Sequence, residues 1–158
     1  MNSLKQATLG LLIKDNQILL AMKKRGFAVG KWNGTGGKPK AEDKTILDTA
    51  IRETEEESKV TPLNPKQVAI LNFYFPEKSD WNQQVIVYIT KEWSGFPTET
   101  EEMKPKWFDL NEIPYDGMWE DDKFWLPQVL NEKFIEADFL FDNNQRMIDK
   151  NIREINSR

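Results

Sequence analysis

The sequence predicts an α/β (α+β) domain, a mixed β-sheet covered by helices, and three observations carry that expectation. Aliphatic and β-branched runs open the chain and recur after the first third, one stretch of helical spacing lies between them, and further helix-like segments come late. With 158 residues and 39% hydrophobic content the chain is long enough for one real core, so residues 1–158 are expected to form a single domain.

In chain order, residues 6 to 13 and 17 to 22 are short aliphatic runs joined through "DNQ", which reads as strand, turn and strand. The segment Gly26 to Gly37, "GFAVGKWNGTGG", holds five glycines in twelve residues and is expected to be a loop that turns sharply or approaches a ligand. From Thr45 to Ser58 the positions Ile46, Leu47, Ala50, Ile51 and Thr54 recur at helical spacing, with Asp43 offered as the cap. "TPLNP" (61 to 65) ends that helix, and "KQVAILNFYF" (66 to 75) and "NQQVIVYITKEW" (82 to 93) have the composition of strands. "PKWFDL" (105 to 110) is expected to be a short strand, with Trp107 and Phe108 in the core. "NEIP" (111 to 114) and "KFWLPQVLNEK" (123 to 133) are read as short helical segments, and "KFIEADFLFD" (133 to 142) as a late strand. The tail from Gln145 fits either a helix or a strand pairing back across "NN".

Composition narrows the chemistry. With no cysteine and no histidine, disulfides, thiolate sites and imidazole bases are excluded, and acid/base or metal work falls mainly to carboxylates, which favour hard cations such as Mg²⁺ or Mn²⁺. A net charge of −4 argues against sequence-independent binding of a nucleic acid polymer. No apolar run approaches the roughly 18 residues of a membrane span, and the first residues lack a secretory pattern, so a cytoplasmic protein without membrane contact is expected. "MKKRG" (22 to 26) reads either as a phosphate-facing cluster or as a solvated basic patch.

The stretch "RETEEES" (52 to 58) holds four glutamates. On a helix, Glu53, Glu56 and Glu57 share an arc of roughly 100°, which fits a solvated face or a cation site. Glu55, Glu56 and Glu57 fall in the last turn, where the helix dipole disfavours negative charge, and the glycine loop before them supplies backbone able to approach an ion or phosphate. Arg52 is placed to hold a phosphate or to orient a glutamate.

These residues carry a resemblance. "GGKPKAEDKTILDTAIRETEEESKV" is similar to the Nudix box, in which a glycine, a glutamate six residues on and an Arg-Glu-x-x-Glu-Glu core are followed by a second glycine. Four positions depart from that pattern: Asp43 stands for the first glutamate, eight residues rather than seven separate it from Arg52, Thr54 takes an aliphatic position, and Lys59 replaces the second glycine. The extra residue is expected at the loop-to-helix junction, because inside the helix it would rotate Arg52 and the glutamates off their face. Beyond the box, "MKKRGFAVGKWNGTGGK", "MWEDD" and the closing "FDNNQRMIDKNIREI" resemble the eukaryotic-type oxidised purine nucleoside triphosphatases, relatives of MutT.

The resemblance implies a Nudix fold, its mixed sheet sandwiched between helices, and Mg²⁺-dependent hydrolysis of an oxidised or modified purine nucleoside triphosphate, such as 8-oxo-dGTP or 2-oxo-dATP, to monophosphate and pyrophosphate. It assigns metal binding to Glu53, Glu56, Glu57, Glu102 and the carbonyl of Gly37 or its neighbour Gly36, with Mn²⁺ as a substitute metal. Catalysis falls to Glu53, Glu56, Glu57 and Arg52, with Glu56 or Glu57 as base, phosphate contact to Lys23, and loop support to Lys38. Base recognition maps onto Thr8, Phe27, Asn33, Phe73, Trp119, Asp121 and Asp122, where Asp121 and Asp122 are expected to keep at least one proton when ligand is bound. The alternative for "WEDD" is a helix cap. The expected partner is a small nucleotide met by a monomer; the rival functions are hydrolysis of another nucleoside diphosphate derivative and non-catalytic nucleotide binding.

Overall fold

The computed structural model describes residues 4–26 and 29–155. The opening hairpin is β1 (Lys5–Lys14) and β2 (Gln17–Lys23), turning through Asp15 and Asn16, both with positive φ. The two strands pair only near the turn, from Leu12↔Leu19 to Lys14↔Gln17, and then separate. The glycine-rich segment enters the gap. Its short strand β3 (Trp32–Asn33) pairs with Ala21 and Met22 of β2, while Thr35 and Gly37 bond to Gly10 and Thr8 of β1. A Cβ on Gly34 or Gly36 would collide with the β1 backbone, so glycine is required there by close approach.

Eight strands form one mixed sheet in the order β10-β9-β5-β6-β1-β2-β3, with β8 (Met103–Asp109) on the other edge of β2. Here β5 is Lys66–Tyr74, β6 Gln83–Thr90, β9 Phe134–Phe141 and β10 Met147–Ile155. The pairs β1/β6 and β5/β9 are parallel, and the other pairs in this sheet are antiparallel. A second, two-stranded sheet pairs β4 (Thr61–Leu63) with β7 (Glu92–Ser94). The run at 82–93 therefore divides between the sheets, and "TPLNP" holds a short strand rather than only a break.

Alternation along β6 sorts the two faces. Ile86 and Tyr88 meet Ala50, Ile46 and Leu47 of α1 (Ile46–Ser58), while Val85, Val87 and Ile89 belong to the main core with Trp125, Leu126 and Val129 of α2 (Asp122–Leu130). The expected sheet between helices is the observed one. Two local expectations are corrected and one open alternative is resolved. The cap of α1 is Thr45, whose hydroxyl accepts from Asp48 N–H while Asp48 accepts from Thr45 N–H; Asp43 lies outside the helix and serves Arg52 instead. "NEIP" is not helical, and a 3-10 turn at Tyr115–Gly117 follows it. The tail is a strand, β10, antiparallel to β9. Trp107 stacks on Trp93 and Phe108 sits edge-on to Trp32, both half-buried against core clusters. Among the described residues no helix is long and apolar enough to cross a membrane.

Candidate active site

The helix α1 runs unbroken from Ile46 to Ser58, so the extra residue of the box is taken up before it, as expected. Thr54 at the aliphatic position is nearly fully buried, and its hydroxyl is satisfied twice: it donates to Ala50 O at 2.9 Å and meets Thr35 Oγ1 of the glycine loop at 2.8 Å. That pair fastens helix to loop where an aliphatic side chain would only pack. Lys59 caps the helix in the left-handed region at φ 64, with its N–H on Glu55 O, a conformation that explains why a glycine suits this position.

Arg52 is the hub of the acidic face. Its Nη1 contacts Glu53 Oε1 at 2.6 Å and Glu56 Oε1 at 3.3 Å, its Nη2 donates to Lys38 O at 3.1 Å, and Nε and Nη2 both reach Asp43. Asp43 also accepts from Lys40 N–H and Thr49 Oγ1, both at 2.9 Å. The Arg52 guanidinium, before any other cause, holds the Asp43 carboxyl far below the usual carboxylate range, and Asp43 in turn raises Arg52 further. An aspartate thus occupies the orienting position of the box, tying Arg52 to the loop.

Glu57 is buried and accepts from Gly36 N–H at 2.7 Å. Burial pushes its carboxyl up to about 7; the Gly36 N–H opposes this, Glu53 and Glu102 add to it, and Lys23 lowers it. Gly37 stands so close to Glu53 that a Cβ would fall on the carboxylate. Glu102 arrives from the loop between β7 and β8, which caps the end of α1: Thr98 N–H donates to Ser58 O and Thr100 Oγ1 to Glu57 O, each at 3.0 Å.

Among the described residues these acids are not drawn into a group of three able to hold a metal. Arg52 bridges Glu53 and Glu56, Glu57 is turned to Gly36, and Arg25 grips Glu102 at 2.6 Å. The residues nevertheless fit a hard cation. The donors are all oxygen, the backbone before them is cleared of side chains at Gly36 and Gly37, and Glu53 and Glu102 load like charge onto Glu57, a repulsion that a cation would reverse.

The basic cluster divides. Lys24 bonds Glu99 at 2.7 Å and Thr100 O at 2.9 Å, and Arg25 pairs with Glu102 and Glu101, so these two, though exposed, strap the acidic loop. Lys23 alone of the three lines the cavity.

That cavity has a volume of about 450 Å³. Its wall joins two sets, Gly36, Gly37, Lys38 and Lys23 with Glu57, and Phe73 and Trp119, both against Phe141, with Asp121 and Asp122, both on Trp125; Thr8 and Asn33 also line it. Phe27 lies outside the described residues. Thr8 Oγ1 faces Gly37 N–H and O at 3.4 Å, and Asn33 Oδ1 accepts from Gly34 N–H, leaving its NH₂ to donate. Glu53, Glu56, Arg52 and Glu102 stand beside this wall rather than in it.

Asp121 and Asp122 open α2 but do not cap it through a side chain. Both are almost completely buried, and the indole N–H of Trp125 is shared between them, at 2.8 Å to Asp121 Oδ2 and 3.1 Å to Asp122 Oδ1. Burial raises both carboxyls, and for Asp122 the charge of Asp121 adds to it. Asp122 Oδ2 is buried with no donor among the described residues, which makes it the oxygen where a proton belongs. Trp125 was not singled out from sequence, although its spacing of three and four residues from the two acids on a helix was a readable signal. Lys31, whose ammonium lies 5.5 Å from the Trp119 ring centre, Trp81 and Met103 also line the cavity, and no pattern in the chain announced them.

A helix carrying Arg-Glu-x-x-Glu-Glu behind a glycine loop, on a mixed sheet between two helices, defines a Nudix hydrolase architecture. The chain belongs to the Nudix family: the NUDIX domain model matches residues 4–129. It is 39% identical over 153 residues to the oxidized purine nucleoside triphosphate hydrolase of Mus musculus, covering 95% of both chains. It is 36% identical over 151 residues to the protein of the same name from Danio rerio, covering 96% of each. The fold resembles the crystal structure of a MutT protein from Bacillus halodurans, with TM-score 0.83, 25% identity and coverage of 94% of this chain and 97% of that one.

Proposed function

We propose that this protein hydrolyses oxidised or otherwise modified purine nucleoside triphosphates, of the 8-oxo-dGTP and 2-oxo-dATP type, to the monophosphate and pyrophosphate, and so cleans the nucleotide pool. The observation that carries this reading is the single cavity joining the Glu57 and Gly36–Gly37 end to the Trp119, Asp121 and Asp122 end. The similarity to two oxidized purine nucleoside triphosphate hydrolases supports it. The chain is read as a single-domain cytoplasmic monomer; that it acts on free nucleotides rather than on a nucleic acid polymer is supported by its net charge of −4.

At the phosphate end, Glu53, Glu56, Glu57, Glu102 and a loop carbonyl would hold Mg²⁺, with Mn²⁺ as a substitute. The Gly37 carbonyl already accepts Thr8 N–H at 2.9 Å, which favours its neighbour Gly36 for that contact. When bound, the cation neutralises phosphate charge and eases attack by water. Water adds to phosphorus, a bridging P–O bond breaks, and the water's proton passes to Glu56 or Glu57. Lys23 supports phosphate charge from the wall, and Arg52 holds Glu53 and Glu56 in place through its anchor on Asp43.

At the base end, Trp119 and Phe73 provide aromatic faces, for which stacking is worth roughly 1–3 kcal/mol per base. Phe27 joins this set by resemblance alone. Asn33 donates to a base edge, and the acid pair presents one donor and one acceptor, a combination able to read either oxidised guanine or oxidised adenine.

Pyrophosphate release is measured from 8-oxo-dGTP, 2-oxo-dATP, dGTP and ADP-ribose with Mg²⁺, comparing the wild type with Glu56→Gln and Glu57→Gln. Preference for the damaged purines, with turnover lost in at least one variant, is the expected result. Turnover of none would leave a binding protein, and turnover of ADP-ribose in preference would move the substrate elsewhere in the family.

A further inference from the structure

Glu120 lies between Trp119 and the buried Asp121, yet its side chain turns away from the cavity, onto the β9–β10 turn. One carboxylate oxygen accepts twice, from Arg146 Nε at 2.6 Å and from Met147 N–H at 3.2 Å. Arg146 holds the Glu120 carboxyl below the usual range. The turn that presents Arg146 is itself ordered by Asp142, whose Oδ1 accepts from Asn144 N–H and Arg146 N–H at 2.9 and 3.0 Å. The same hairpin grips the neighbouring segment twice more: Lys150 Nζ lies 4.4 Å from the Phe124 ring centre, and Phe141 at the end of β9 sits edge-on to Trp119 at 5.7 Å.

We propose that the Glu120–Arg146 pair is a positioning device for purine recognition, through which the carboxy-terminal hairpin fixes the peptide units that aim Trp119 and Asp121 into the cavity. The inference rests on the reading of that end as the base pocket. It follows from geometry. Glu120 shares a peptide unit with each of its two neighbours, so an anchored carboxylate restricts the backbone on both sides at once. A recognition pair set on a short connection between a 3-10 turn and α2 needs such support from outside its own element.

Kinetics of 8-oxo-dGTP and dGTP hydrolysis test this in Glu120→Gln, Arg146→Gln and the double variant, with Asp121→Asn as the control and a melting curve for each protein. Each single variant should raise KM for 8-oxo-dGTP about two- to fivefold, the range open to an exposed charge-assisted pair, while kcat and the melting temperature hold. The double variant should be no worse than either single one, because both abolish the same ion pair. A fall in kcat at constant KM, or additive losses in the double variant, would overturn the proposal. Loss of discrimination in Asp121→Asn with none in the pair variants would refute the clamp and leave the pocket standing. Unchanged discrimination in all of them would remove the base-pocket reading and the clamp together.

Discussion

Replacing Asp122 by asparagine should make the protein more stable at neutral pH, although it removes an ionisable group from the cavity wall. Asp122 is 4% exposed, its Oδ1 accepts from Trp125, and its Oδ2 has no donor among the described residues. An ionised oxygen in that state costs about 1–3 kcal/mol of desolvation. The carboxyl is raised by burial first and by Asp121 second, so the folded state binds more protons than the unfolded chain above the unfolded value of about 4. Stability is therefore lost as pH rises through this window. The introduced amide copies the protonated acid: it keeps an acceptor for Trp125, puts an N–H where the orphaned oxygen stood, and cannot ionise. The difference between variant and wild type should be near zero at about pH 4 and grow to about 1–3 kcal/mol by neutral pH. That corresponds to about 2–4 °C in Tm per kcal/mol for a chain of this size. Urea unfolding from pH 4 to 8 measures it, with every other titrating group shared by the two proteins. A difference that stays flat with pH, or a variant less stable than wild type at pH 7, would show that Asp122 ionises there without penalty.

Three other expectations concern the box and its loop. Lys59→Gly relieves a left-handed residue at φ 64 and should stabilise the protein by about 1 kcal/mol, read as a higher urea midpoint at unchanged slope; an unchanged midpoint would mean that the lysine side chain compensates elsewhere. Thr54→Val leaves the Thr35 hydroxyl only its longer 3.4 Å bond to Gly10 O and should cost about 1 kcal/mol, whereas adding Thr35→Val should recover part of it; a double variant that sums the losses would argue that the two hydroxyls do not meet. Gly37→Ala drives a methyl onto the Glu53 carboxylate and should weaken Mn²⁺ binding, followed by titration of the ion's magnetic resonance signal, at least tenfold. Full affinity in that variant would place the ion away from Glu53.

The helix carrying the box was legible because period 3.6 and the apolar stripe Ile46, Leu47, Ala50 survive any tertiary context. Its cap was misread for a physical reason: Asp43 and Thr45 are both good caps, and the choice turned on Arg52, nine residues from Asp43, which claims the aspartate. The tail could not be settled from pattern, since β10 is an edge strand whose exposed residues Asp149, Lys150 and Glu154 blur the alternation. The strap of Lys24 and Arg25 on the 99–102 loop was invisible for a related reason. Seventy-odd residues separate the partners, and only the fold brings them together. Trp125 stands one helical turn from the two acids, a spacing the sequence does carry.

The two parallel pairings also govern how the protein acquires its site. The pairing of β1 with β6 joins Thr8 to Ile86, and that of β5 with β9 joins Phe73 to Phe139, so each closes a long stretch of chain before any contact rewards it. The first must form before the cavity has walls, because Thr8 and Val85 come from opposite sides of that closure, and the second backs the wall, with Phe139 and Phe141 packed against Phe73. Such non-local topology places folding nearer ~ms to seconds than microseconds. A nascent chain released short of β6 would carry the complete glycine loop and glutamate helix with no pocket to present a nucleotide to them.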